Sequence, residues 1–467
     1  MKGAARILLP FGAACALCTV LALTLSGGGG PGELVFSTWG TPSEIAGFRV
    51  LIEHYNATRH PRHPVRLAHA EQYQYTERLM VQAAARGLPD VIHLDRNDVP
   101  LFARMGLLED LAPCIAGDTS FRRGDFFPEL WDGCSSGKRT WAIPHNFSTL
   151  VLYYNRDQFD AAGIAYPDST WTWETLLDAA KRLTRRGADS TTLRYGCLMQ
   201  IAFSAMLLQN GGRVLDGAMD SCVIGSPECA GALSFAVDLS EKERVSWSML
   251  AQNMQWDDMF AGGRLSMIAN GRWALIPYVH AMGRGAVDVA PLPRGRTGGG
   301  AVACHVMAVS AQSAMPDEAW EFLRYLVSAE GERLVAEGGS SIPALRAAAM
   351  SDEILRAEGV HGEVFIDELR GASPWPFVQG PYLSGYALQS RFEAAVRRVL
   401  LGTATPLSSL RTMEADVNAL IRNARDVPRA REFAGSALSY LCAAIAAAAG
   451  AAVLRSVARK RRSRQAR

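Results

Sequence analysis

The chain of 467 residues is poor in the signatures of chemistry. No Gly-x-Ser-x-Gly elbow, phosphate loop, His-Glu-x-x-His pair or dinucleotide glycine pattern stands in a strand-to-helix context, which excludes the common routes to serine hydrolysis, nucleotide chemistry and zinc proteolysis. No C-x-x-C pair occurs between Glu33 and Glu432, so a structural zinc or a dithiol redox centre is not expected there, and no metal or cofactor is called for. That stretch carries 39 basic against 46 acidic residues, a net of −7, and offers no basic surface to nucleic acid. The only carboxylate pair worth considering for glycoside cleavage is Asp95 with Glu71. No repeat interrupts the middle. With 49% hydrophobic and 20% charged residues it reads as two globular domains with substantial cores.

The ends differ from the middle because they lack acidic residues altogether. Lys2 and Arg6 precede an uncharged run from Ile7 to Gly32, the order of a secretory signal or signal anchor. Neither Cys15 nor Cys18 follows a convincing lipobox, which favours a retained anchor. From Ala434 to Leu454 a second uncharged run is long enough to span a bilayer, and Arg455, Arg459, Lys460, Arg461, Arg462, Arg464 and Arg467 follow it. A basic cluster of that kind stays in the cytoplasm. Both termini are therefore expected inside and Glu33 to Glu432 outside, where thiols oxidise. Cys222 with Cys229 is the first candidate disulfide, and Cys114 with Cys134 the second.

Along the middle, Leu34–Ser37, Val65–Ala68 and Pro89–Leu94 read as strands separated by helices at Ser43–Tyr55 and Tyr75–Arg86, a βαβαβ unit with a parallel sheet. Trp141–Tyr154 reads as strands passing between lobes. Helices are expected at Trp173–Thr184, capped by Thr172, and at Phe203–Gln209, Ala230–Ser240, Trp256–Ala261 and Pro316–Val327. Strands are expected at Leu265–Ile268, Trp273–Pro277 and Val302–Val309.

Several ordered segments carry a resemblance. They are Phe36-Ser-Thr-Trp-Gly, Gly87-Leu-Pro-Asp-Val, Gly106-Leu-Leu-Glu-Asp-Leu, Ile143-Pro-His with Leu152-Tyr-Tyr-Asn-Arg-Asp, and Thr170-Trp-Thr-Trp-Glu-Thr-Leu. Phe260-Ala-Gly-Gly-Arg-Leu-Ser-Met, Asp317-Glu-Ala-Trp-Glu-Phe-Leu-Arg-Tyr-Leu and Leu400-Leu-Gly-Thr-Ala-Thr-Pro complete the set. Together they resemble the extracellular solute-binding proteins of carbohydrate ABC importers, the group that includes maltose-binding protein. The resemblance implies a two-lobed α/β periplasmic-binding-protein fold with discontinuous lobes and a hinge, flanked here by N- and C-terminal membrane segments. Its expected divisions are 1–32 (signal or anchor), 33–143 (lobe 1), 144–292 (lobe 2), 293–344 (crossover and lobe 1), 345–433 (lobe 2 helices), 434–454 (membrane helix) and 455–467 (tail). It implies capture of a sugar-like solute by hinge closure and delivery to ABC permease subunits, with no catalysis. A membrane-tethered sensor or scaffold on the same fold is the alternative.

A sugar cleft needs aromatic faces and polar side chains. The candidates are Trp39 after the first strand, Gln72 and Tyr73 before the second helix, Asp95 and Asn97 after the third strand, and His145 and Asn146 at the first crossover. From lobe 2 come Asn210, Trp256 and Trp273, with Gly299 and Gly300 at a crossover and Trp375 in a Pro-flanked loop. Each has an ordinary alternative: Trp39 as a core ring, Asp95 and Asn97 as helix caps, Asn210 as a turn residue and the glycines as a loop.

Overall fold

Strand–helix alternation at the start of the middle segment builds half of a sheet. In the computed structural model, which describes residues 32–40, 42–70, 75–248, 256–336, 341–374, 377, 383 and 385–425, β1 (Leu34–Thr38) is buried throughout. Helix α1 (Pro42–Arg59) covers it with Ile45, Phe48, Leu51, Ile52 and Tyr55, a stripe at three- and four-residue spacing. β2 (Val65–His69), α2 (Tyr75–Ala84) and β3 (Val91–Asp95) follow, and β2 and β3 flank β1 in parallel register, Leu34 beside Val65 and Phe36 beside Val91. The expected terminal segments, Gly32 excepted, lie outside the described residues, as do Gln72, Tyr73, Trp375 and Glu71. Among the described residues no helix is long and apolar enough to cross a membrane.

The chain then joins the same sheet from its other side. β4 (Ile143–Thr149) is fully buried and pairs within it, so the chain leaves lobe 1 at Leu150, later than the expected division at 143. Beyond it β5 (Val151–Asn155) opens lobe 2, followed by α3 (Trp173–Leu183), α4 (Phe203–Gln209), α5 (Pro227–Glu241) and α6 (Trp256–Ala261). Thr172 caps α3 reciprocally: its hydroxyl takes the Thr175 N–H at 3.3 Å while its own N–H reaches the Thr175 hydroxyl at 2.7 Å. β6 (Met267–Asn270), α7 (Leu275–Met282) and β7 (Val287–Ala290) complete an antiparallel sheet ordered β6-β5-β7. The expected strand at Trp273–Pro277 is instead a 3-10 turn at Arg272–Ala274 leading into α7. Pro277 lies in that helix's first turn, where its missing N–H is no loss, and so short an apolar run carries no period to separate strand from helix.

β8 (Ala301–Val309) returns to lobe 1 and slots between β4 and β3, antiparallel to both. Helices α8 (Pro316–Leu326) and α9 (Ala329–Ala336), β9 (Ile342–Pro343), α10 (Glu363–Leu369) and β10 (Ser373–Pro374) follow, giving a seven-stranded sheet ordered β9-β4-β8-β3-β1-β2 with β10 beside β8. Helix α10 lies over the crossover, its Phe365 carbonyl accepting from the Thr149 hydroxyl at 2.6 Å, rather than with the lobe 2 helices as the expected division at 345 had it. Finally α11 (Gly385–Leu400) and α12 (Pro406–Arg425) pack on α4 and α5 in a helical core containing Phe203, Leu233, Phe392 and Met413.

Three passages link the lobes, and they touch. The Leu150 N–H approaches the Ala301 carbonyl at 3.4 Å, and the Ser373 N–H donates to the Gly300 carbonyl at 3.0 Å. Gly299, at φ +98°, runs so close to the third passage that a Cβ there would sit 2.2 Å from the Gly371 carbonyl oxygen. Only glycine meets both demands.

Candidate functional site

In parallel α/β sheets the carboxyl ends of the strands are where ligands meet the fold. At that edge of lobe 1 the chain concentrates rings. Trp39 follows β1 but is only 7% exposed: the His93 imidazole stacks on it at 4.3 Å between centroids, with Tyr75 at 4.7 Å and His305 edge-on at 5.2 Å. The expected stacking ring is thus mostly core, because His93, one strand away, occupies its face. His93 is fixed by Thr38, whose hydroxyl lies 2.7 Å from Nδ1, and burial followed by the neighbouring His305 and His145 drives its pKa well down. His145, 2% exposed, has no hydrogen-bond partner at either ring nitrogen, and burial lowers its pKa to about 3.

Asp95 and Asn97 sit at the end of β3. Asp95 does cap: its Oδ1 takes the Asn97 N–H at 2.8 Å. It remains half-buried, as does Asn97. Behind it Asp98 takes the Thr76 hydroxyl at 2.9 Å, and burial, then the charge of Asp95, pushes its carboxyl up to about 8. Asn146 is buried with its Oδ1 unpartnered. Its cross-strand neighbour is His305, which sequence reasoning missed. The signal was a polar ring in the otherwise apolar run of β8.

Lobe 2 contributes a turn. Trp273, 39% exposed, is the most open tryptophan among the described residues. Its ring folds against Gly271, where a Cβ would lie 2.1 Å from it. A buried network holds the turn: Tyr278 donates to Asp257, Asn270 Nδ2 donates to Asp257 at 2.9 Å and to the Tyr278 oxygen at 2.8 Å, and the Tyr153 hydroxyl donates to the Gly271 carbonyl at 2.9 Å. The Arg272 N–H donates to the Ser148 hydroxyl at 2.8 Å, two residues along β4 from Asn146 and on the same face of that strand. This contact brings the Trp273 turn against lobe 1.

The remaining candidates have other roles. Asn210 is buried and donates to the Glu228 carbonyl at 2.6 Å, tying α4 to α5. Its neighbour Gln209, also missed, accepts from Trp173 Nε1 at 2.9 Å and donates to the Gly299 carbonyl at 2.9 Å. Gly299 and Gly300 lie where the chains cross, the Gly299 carbonyl accepting from Gln209 and the Gly300 carbonyl from the Ser373 N–H. Glu368 Oε2 faces Gly300 without a partner, and burial raises its pKa to about 7. Trp256 is half-buried against the larger core.

Neither expected disulfide is formed: Cys114, Cys134, Cys222 and Cys229 are all free thiols. The Cys229 thiol turns to the Arg213 carbonyl at 3.5 Å and the Cys134 thiol to the Leu130 carbonyl at 3.4 Å. Gly133 to Gly137 spells Gly-Cys-Ser-Ser-Gly, but Ser135 and Ser136 form one arm of a short hairpin with Arg139 and Thr140, so no nucleophile elbow exists there. Among the described residues no group of three or more His, Cys, Asp or Glu could hold a metal ion, the three histidines included.

A profile of the family described as bacterial extracellular solute-binding protein matches residues 39–333. An uncharacterized lipoprotein of Streptomyces antibioticus is 26% identical over 67% of this chain and 71% of its own length. A probable ABC transporter-binding protein of Deinococcus radiodurans is 24% identical over 62% and 71%. Among solved structures, an ABC substrate-binding protein of Listeria monocytogenes in complex with cycloalternan superposes with a TM-score of 0.73 at 22% identity, covering 83% of this chain and 98% of that one. A likeness at that identity shows a shared fold.

Proposed function

Because the chain belongs to the bacterial extracellular solute-binding protein family, we propose that it is the receptor of an ABC importer, closing its lobes around a sugar-like solute and handing it to the permease. The observation that carries this reading is the meeting of two unlike half-surfaces at the crossover. Lobe 1 offers Asp95, Asn97, Asn146 and His305, and lobe 2 brings the turn that carries the exposed Trp273 against strand β4 beside them. Carboxylate, amide and imidazole suit hydroxyls, and an indole face suits the C–H side of a pyranose. The three touching passages are the natural hinge. The Deinococcus relative supports the importer context, and the Listeria protein's cycloalternan supports a carbohydrate.

No bond is made or broken in this role. The terminal apolar segments act as anchors, holding residues 33–432 on the outer side of the cytoplasmic membrane.

The test is a melting screen against neutral sugars and polyols, since a ligand binding only the native state raises its stability by about 2.7 kcal/mol at a hundredfold excess over Kd. The active solute should also shrink the scattering radius and be recovered unchanged. Consumption of the sugar would refute the receptor role, and no shift with any sugar would refute the carbohydrate.

A further inference from the structure

Lobe 2 has a basic face on an otherwise acidic body. Residues 181–195, 241–248 and 264 hold eight basic against three acidic residues, within a stretch whose net charge is −7. Arg185–Arg186 and Thr192–Arg194 pair as a short antiparallel hairpin with Arg185 directly opposite Arg194, so two like charges share one side of it. Two further turns are drawn up beside Arg194: the Tyr195 N–H donates to the Arg264 carbonyl at 3.0 Å, and the Gly196 N–H to the Val245 carbonyl at 2.9 Å, next to Arg244.

Arg185, Arg186, Arg244 and Arg264 are exposed, and Arg194 is half-buried with its Nε on the Leu183 carbonyl at 2.9 Å. Burial, then the charge of Arg185, lowers the Arg194 pKa. Among the described residues none of the five forms an ion pair. The carboxylates of the same segments are engaged elsewhere: Glu243 by Lys181 at 2.8 Å, Glu241 by the Ser240 and Ser248 hydroxyls at 3.1 and 3.0 Å, and Asp189 by the Thr191 N–H and hydroxyl at 3.1 and 2.6 Å. In the hairpin's second arm Leu193 stands 55% exposed. Like charges facing one another cost stability in the isolated protein and attract an anionic partner. An exposed leucine among unpaired guanidinium groups suits a phospholipid surface, where the arginines engage phosphates and the leucine enters the acyl boundary.

The proposed anchors put such a surface within reach. Eight residues, 426–433, separate the end of α12 from the expected membrane segment and extend at most about 29 Å. Helix α12 packs on α5, and α5 ends at Glu241, at the basic face. We propose that Arg185, Arg186, Leu193, Arg194, Arg244 and Arg264 form a docking surface for phosphate-bearing lipid headgroups, which holds lobe 2 of the anchored receptor against the membrane. This rests on the anchored placement proposed above and adds to it an orientation.

The experiment mixes the full chain with vesicles of phosphatidylcholine alone or with added phosphatidylglycerol, and reads flotation together with hydrogen exchange over residues 184–196 at low and high salt. On the anionic vesicles at low salt, exchange should slow tenfold or more, and high salt should release it. The variant Arg185→Gln/Arg186→Gln/Arg264→Gln should lose the slowing with its melting unchanged. The equal charge change Arg62→Gln/Arg122→Gln/Lys138→Gln on lobe 1 should keep it. Should the triple variant fail to fold, Arg264→Gln alone carries the comparison. Equal exchange on both vesicles, or slowing kept by the folded patch variant, overturns the docking surface. Slowing on neutral vesicles that grows with protein density overturns it too, in favour of a second copy of the chain. Flotation with neutral vesicles reads the anchors separately: its loss overturns the anchored placement, while salt-sensitive flotation with anionic vesicles still supports the patch.

Discussion

Two tryptophans illustrate how burial divides stability from binding. Trp39, wedged between His93 and Tyr75, should cost about 3–5 kcal/mol of stability when replaced by Ala, because a large ring leaves a cavity. Trp273 is partly open, so Trp273→Ala should lower the melting temperature less than Trp39→Ala while weakening solute binding by about tenfold to a hundredfold, 1.4 to 2.7 kcal/mol. Melting and titration of the two variants side by side check the division. Titratable groups near them predict a stability optimum. Asp98 titrates near 8 when folded and near its ordinary value when unfolded, so its neutral form's contribution is complete in acid and is lost as pH rises from about 4 through 8. His145 has the opposite sign: its unfolded form gains a proton below about 6.5 while the folded form stays neutral to about 3, so stability falls as pH drops through that window. Each limb has a slope of up to about 1.4 kcal/mol per pH unit. Asp98→Asn should make the alkaline limb shallower, leaving the share of Glu368, and His145→Phe the acid limb, leaving that of His93, in melts from pH 4 to 9.

The hinge is the element where the smallest change should matter most. Gly299→Ala adds a methyl at φ +98° and against the Gly371 carbonyl, so it should destabilise by about 1–3 kcal/mol from backbone strain alone and displace the third passage. Calorimetry checks the first effect, and scattering with and without solute the second. Gln209→Ala, which frees Trp173 Nε1 and the Gly299 carbonyl together, should soften the same region. Elements with a clear period were legible in the sequence: the βαβαβ start, α3 with its Thr172 cap, and Phe203–Gln209, whose observed limits match the expectation. Trp273–Pro277 was not, since it is too short for a period. The site was half legible for a related reason. Asp95 and Asn146 stand where a strand end and a crossover suggest, but that His93 would cover Trp39, and that His305 would stand between Asn146 and Asp95, depends on register between strands far apart in sequence. The same dependence hid the buried ties of Asn210 and the crossing of Gly299 past Gly371.

For the whole molecule, the apolar ends predict a testable topology. Protease added to intact spheroplasts should digest residues 33–432 and spare a tag placed after Arg467, and a digested tag would refute the cytoplasmic tail. The most consequential large-scale feature is the position of β8, which enters the middle of a sheet between two strands, β3 and β4, that come from much earlier in the chain. The order of synthesis and the order of assembly are therefore at odds. Until residues 301–309 are available, β3 and β4 each present an unpaired edge where the finished sheet has none, and such edges invite pairing with other chains. Lobe 2, threaded between them, can build its own sheet meanwhile. A chain truncated before Ala301 should accordingly keep the β6-β5-β7 sheet of lobe 2 while lacking the α11 and α12 cover of α4 and α5 and leaving lobe 1 sticky and unfinished, and an emerging chain would need its early strands held apart until the late one arrives to close the gap.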